Sequence, residues 1–222
     1  MVPFEIEGDG PSRRRLILAE ATRIFLEKGF SATAMSEVAK ASGIQKASLY
    51  HHFPSKEALF VACATNGFAD ALADLEAIRN DPDLGDDDRL RRAVDAVYRI
   101  NLDSACGQMA PLIAEVSRTI PTVARAFYEG FIYKQHIVMG GIIDDGLARG
   151  SFVTRERLGL EQMIFGPIVS LALEREMFAA FDDVDAVRPV DQIREEHATL
   201  LLRLMKGDTE TTRATRVPKG AP

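Results

Sequence analysis

Between Thr33 and Leu59 the chain reads TAMSEVAKASGIQKASLYHHFPSKEAL, and the spacing of its glycine and its apolar residues decides the fold. After Thr33, Met35, Val38 and Ala39 fall at helical spacing, Gly43 interrupts, and a second short helix is expected over roughly Gln45 to His51. Two short helices joined by a tight turn containing glycine form a helix-turn-helix. Ala39 is small enough to let the two helices approach closely, and Gly43 can take the positive φ that such a turn needs. Val38, Ile44 and Leu49 are spaced to share one small core that Phe53 can cover. That leaves Gln45, Lys46, Ser48, Tyr50 and His51 for the outer faces.

Those outward residue types suit a groove in duplex DNA. The N-terminal end of the second helix is the part that approaches base edges in such motifs. Gln45 can bond adenine bidentately, and Lys46 can reach guanine O6 or N7. Ser48, Tyr50 and His51 can donate to phosphate oxygens. Thr33 and Lys56 stand at helix starts, where free N–H groups and the helix dipole favour a phosphate. Arg13 and Arg14, with Arg15, put positive charge at the start of the first helix, against the dipole. A phosphate partner explains that run, and so does simple solvation. His51 and His52 are adjacent, so on a helix they point about 100° apart and do not readily share a metal ion.

The run Ala39 to Leu59 carries a resemblance, above all in Gly43-Ile44 and in Leu49-Tyr50-His51-His52-Phe53-Pro54-Ser55-Lys56-Glu57-Ala58-Leu59. It is similar to the DNA-binding domain of the TetR family of bacterial transcriptional regulators, over roughly residues 12–60 of this chain. The resemblance implies an all-α chain of about nine helices, with a three-helix DNA-binding head and a larger ligand-binding and dimerisation domain. It further implies a homodimer on a pseudo-palindromic operator, a small-molecule effector and a pocket among helices four to eight. Gln45 stands where such proteins often carry Ser or Thr, so it is either a base reader or a substitute cap.

Charge is consistent with a head that meets a polyanion. The net charge is −6, but residues 11–56 hold eight bases against three acids, +5, while residues 57–222 carry −8. A basic head on an acidic body confines any nucleic-acid contact to the head. Cys63 and Cys106 are far apart, with no CxxC or Cys/His cluster, so neither a disulfide framework nor a zinc site is expected, nor any cofactor. Glu5, Glu7 and Asp9 occupy the place of a basic leader, and no apolar run reaches the roughly 18 residues that span a bilayer. A cytoplasmic protein without a membrane partner is expected.

The rest of the chain reads as helical blocks between breakers. The expected boundaries are a disordered arm at 1–11, the head at 12–58, the large domain at 59–206 and a disordered tail at 207–222. Gly29 ends the first helix, Ser55 caps the fourth, Thr154 caps the eighth, and Gly166-Pro167 lies inside it. Tyr98, Met109, Phe127, Phe131 and Met163 are candidates to line a ligand cavity, with Glu115 and His136 as polar candidates. Arg118 could meet an anion, and plain core is the alternative for each apolar residue. A stripe of Ile193, Leu200 and Leu204 could pair with Leu160, Ile164, Ile168 and Leu171 across a two-fold axis, or both stripes could be buried in one subunit. Ser104, Ser117, His136 and Asp144 do not assemble into a triad by spacing, and no Walker loop is present, so an enzyme is not expected. A ligand-controlled repressor is the leading expectation, and an architectural DNA binder without a ligand switch is the alternative.

Overall fold

A computed structural model describes residues 11–66, 68–154, 156–178, 180–181 and 188–207. The expected arm up to residue 10 and the tail after Gly207 lie outside the described residues. Among the described residues every regular element is a helix. The head contains α1 (Pro11–Ala32), α2 (Met35–Ala41), α3 (Lys46–His52) and α4 (Lys56–Asn66). The body continues with α5 (Phe68–Asn80), α6 (Asp86–Leu102), α7 (Ala105–Gln108), α8 (Ala110–Ser117) and α9 (Pro121–Phe127). A π-helical turn, Tyr128–Ile132, leads into α10 (Tyr133–Arg149), and α11 (Arg157–Met177) and α12 (Val190–Lys206) follow.

Local chemistry explains most of the boundaries. Gly29 breaks α1 with φ 77° and ψ 170°, where the sequence places the stop. The Ser55 hydroxyl accepts the Ala58 N–H at 3.1 Å and so caps α4. Gly150 and Gly207 end α10 and α12 in the left-handed region. Thr154 is a correction: α11 starts at Arg157, and the Thr154 hydroxyl instead donates to the Leu204 carbonyl at 2.5 Å. With the Val153 N–H on the Met205 carbonyl at 2.7 Å, it ties the α10–α11 connector to the end of α12. The continuous helical stretch from Pro121 to Arg149 is interrupted by the π turn at Tyr128–Ile132.

Two apolar cores organise the chain. The first joins Ile17, Leu18, Phe25, Val38, Leu49 and Phe53 of the head to Leu59, Phe60, Cys63 and Ala64 of α4. It continues into Met109, Ile113, Val116 and Val123, next to and within α8 and α9, so the packing does not break at residue 58. The second core collects α5, α6, α10, α11 and α12. Leu160, Ile164, Ile168 and Leu171 lie inside it, at most 5% exposed. That corrects their expected place on a two-fold interface, because helical periodicity reports that a face is buried without reporting against which chain.

Candidate nucleic-acid interface

The turn before α3 is built by its glycine. Gly43 takes φ 64°, and the Ile44 N–H reaches back to the Ala39 carbonyl at 2.9 Å. α3 then packs on α2 through one fully buried side chain, Leu49, with Phe53 closing the end at 2% exposure. Gln45, Lys46, Ser48, Tyr50 and His51 are all exposed. Gln45 holds the N-cap position in extended backbone, but its side chain makes no cap bond and stays on the surface. The Lys46 ammonium lies 5.8 Å from the centre of the Tyr50 ring, one turn on, which orders both side chains along the outer face.

The flanking residues fare differently. The Lys56 ammonium donates to the carbonyls of Phe30 at 2.8 Å, Thr33 at 3.1 Å and Ser31 at 3.2 Å, and sits 4.5 Å from the centre of the Phe30 ring. Its three protons are engaged inside the head, so the side chain adds nothing to the helix-start N–H groups on which the expected phosphate contact rests. At the start of α4, Ser55 takes the Ala58 N–H. The Glu57 carboxylate is held below its usual range by its own backbone N–H and then by Ser55. Thr33 is likewise inward: it is 3% exposed, and its hydroxyl donates to the Gly29 carbonyl at 2.7 Å. Arg13 and Arg14 are exposed, and the Arg14 guanidinium lies 5.0 Å from the centre of the Phe53 ring, beside the end of α3. The acids Glu20, Glu27 and Glu37 pair with Arg23 or Lys28. The head's surplus charge therefore rests chiefly with Arg13, Arg14, Lys40 and Lys46.

Residues 17–63 match the model of bacterial regulatory proteins of the tetR family. The likeness to that family's model is confined to this stretch of the head. Among the chain's relatives, the HTH-type transcriptional regulator RutR of Escherichia coli is 36% identical over 70 residues, 32% of this chain and 33% of that protein. The HTH-type transcriptional repressor KstR2 of Rhodococcus jostii is 45% identical over 70 residues, 32% of this chain and 34% of that protein. The match thus spans about a third of the length of these relatives. Over the whole fold, the chain is similar to the transcriptional regulator FadR of Bacillus subtilis, solved in complex with stearoyl-CoA. The TM-score is 0.70 at 16% identity, covering 86% of this chain and 98% of that one.

In the body the seven expected ligand residues are scattered. Tyr98 is 1% exposed and its hydroxyl lies 3.0 Å from His197 Nδ1. Met109 is fully buried in the core beneath the head. Phe131 forms a small cluster with Ile100, and Phe127 packs against it. Glu115 is exposed, as is Arg118. His136 stacks on Phe165 with ring centres 4.0 Å apart and lies 3.3 Å from Glu161. Met163 is 51% exposed. None of the seven lines the cleft of about 560 Å³ that opens between α1, α6, α8 and α11. Its walls include Leu26, Asn101, Leu102, Gln108 and Leu173, which the sequence reading did not assign to a ligand. One signal was present: Asn101 continues the apolar stripe of Leu90, Val94 and Val97, where a polar side chain is out of place.

Proposed function

We propose that this chain is a homodimeric transcriptional regulator, acting as a repressor that holds a pseudo-palindromic operator and is released by a small-molecule effector. The observation that carries the reading is α3, which turns one leucine inward and leaves its entire polar side open. Gln45 and Lys46 read base edges, and Ser48, Tyr50 and His51 hold phosphates. Arg13 and Arg14 supply long-range attraction, while Thr33 and the start of α4 contribute backbone groups only. We take residues 12–58 as the unit that meets DNA and 59–206 as the effector and dimer unit, working in the cytoplasm and not as an enzyme. Relatives named as regulator and repressor support this reading, and the fold shared with FadR, solved with stearoyl-CoA, supports a ligand site in the body. The cleft favours a ligand switch over a purely architectural binder.

Dimerisation follows from surface chemistry on the last two helices. His197 donates from Nε2 to the Met163 carbonyl at 2.9 Å, bringing α12 against α11. Met163 and Leu200 remain 51% and 60% exposed on those two helices. Exposed apolar side chains gathered in one region mark a contact surface. A second copy related by a two-fold axis would cover them and set two α3 helices about one DNA turn apart, roughly 34–36 Å.

The test is gel retardation with the intergenic DNA beside the gene, at fixed salt. The parent should shift a fragment that contains an inverted repeat. Lys46→Ala should weaken binding by about 1–3 kcal/mol and relax the preference at one base position. Retardation unchanged in both Lys46→Ala and Tyr50→Phe would reject α3 as the reading helix.

A further inference from the structure

We propose that the cleft between head and body is the effector site, and that it selects an uncharged, elongated, largely apolar molecule ending in a hydroxyl group. The proposal deepens the ligand-switch reading above and rests on it. The cleft encloses about 560 Å³, within the range of roughly 300–1,000 Å³ typical of small-molecule sites. Its apolar walls come from four elements: Leu26 of α1, Leu102 of α6, Pro111 and Ala114 of α8, and Val169 and Leu173 of α11. Leu26, Val169 and Leu173 are 38%, 56% and 50% exposed, so apolar surface on both sides of the cleft awaits cover.

The polar lining sets the head group. The Asn101 amide nitrogen already donates to the Val97 carbonyl at 2.8 Å, which leaves its oxygen to accept a hydrogen bond. Gln108 offers an amide that both donates and accepts. The charged residues on the lining are Arg175 and Glu176, one of each sign. A charged ligand would lose hydration there without a matching surplus of counter-charge. A hydroxyl can donate to the Asn101 oxygen and accept from the Gln108 amide without that cost.

The position also supplies the coupling. Leu26 belongs to α1, which packs on α4 inside the head, whereas Val169 and Leu173 belong to the body core helix α11. A molecule lodged between them touches both units at once. It therefore favours whichever head position keeps these walls at its own width, which is the differential affinity a switch requires.

The experiment uses the full chain with three probes of equal length, 1-decanol, decanoate and decylammonium, each below its micellar concentration, followed by calorimetry. Decanol should bind, with the two charged chains at least about tenfold weaker. Gln108→Ala should weaken decanol about tenfold by removing one hydrogen bond. Ala114→Phe fills the cleft from an exposed wall position and should abolish binding while leaving the melting temperature of the free protein unchanged. Equal binding of all three probes, no binding of any, or undiminished decanol binding by a folded Ala114→Phe variant would each overturn the proposal. The DNA reading is scored separately by retardation without probe. If the free protein never binds duplex DNA, the regulator reading fails, while the cleft is still decided by calorimetry.

Discussion

Two lysines of the head, ten residues apart, show how far the same side chain can differ in role. Lys46 stands on the open side of α3 against Tyr50, and Lys56 is turned inward onto three carbonyls that follow the break in α1. Lys46→Ala should therefore leave the unfolding midpoint nearly unchanged while weakening DNA binding and relaxing the preference at one base position. Lys56→Met should do the reverse. It strands three carbonyl acceptors and should cost about 1–3 kcal/mol in urea unfolding, with the salt slope retained. A Lys56→Met protein of parental stability and shallower slope would restore Lys56 as a phosphate contact. From residue types alone the two were alike, because a lysine at a helix start suits either a phosphate or the carbonyl end of a neighbouring helix. The arrival of the Phe30, Ser31 and Thr33 carbonyls at that point is a tertiary fact. Gly43 was legible because only its backbone was at stake, and Leu49 because a buried position in a short amphipathic helix has few alternatives.

At the scale of the element, α10 shows why several glycines persist inside one helix. A Cβ on Gly140 or Gly141 would meet the ends of Arg157 and Arg79, which cross the helix there on their way to Asp144 and Asp145. These are flexible tips in partly exposed ion pairs, worth about 0–1 kcal/mol. Alanine would return about 1 kcal/mol of helix propensity, so Gly141→Ala should change stability by less than about 1 kcal/mol. Gly146 is different. Its Cβ would stand 2.2 Å from the Phe152 ring, which is 2% exposed and held by the connector bound to α12. Gly146→Ala should destabilise by about 1–3 kcal/mol through overpacking, and thermal melts of the two variants separate the cases. The order of helices in the head was legible from breakers such as Gly29 and Gly43. The π turn at Tyr128–Ile132 was not, since no residue in it forbids an ordinary α-helix. The cleft escaped as well, because its wall is assembled from α1, α6, α8 and α11, and no sequence window contains all four.

Across the whole molecule, two titrating groups hold distant elements together, and acid should release them in order. His197 of α12 donates from Nε2 to the Met163 carbonyl, which can only accept, so its Nδ1 accepts the Tyr98 hydroxyl from α6. The neutral ring is satisfied on both sides, and burial lowers its pKa below the usual histidine value. Burial also pushes the Tyr98 hydroxyl up to about 12, so it remains the donor. Asp86, at the start of α6, accepts from Arg149 at 3.0 Å, Arg89 at 3.0 Å and Ser151 at 2.6 Å. The Arg149 hydrogen bond is the main cause that holds its carboxyl below the usual range. Both groups have folded values under their unfolded ones, so the unfolded chain binds the extra proton in each window. Stability from His197 is whole above about pH 6.5 and is lost as pH falls from there through its folded value. Stability from Asp86 survives that window and is lost only below the ordinary carboxylate value of 3.8. The urea midpoint should therefore fall in two steps on acidification. His197→Gln, which keeps an amide donor and acceptor, should flatten the first step, and Asp86→Asn the second. A first step of undiminished size in His197→Gln would mean that the junction of α6, α11 and α12 is not held by a neutral histidine.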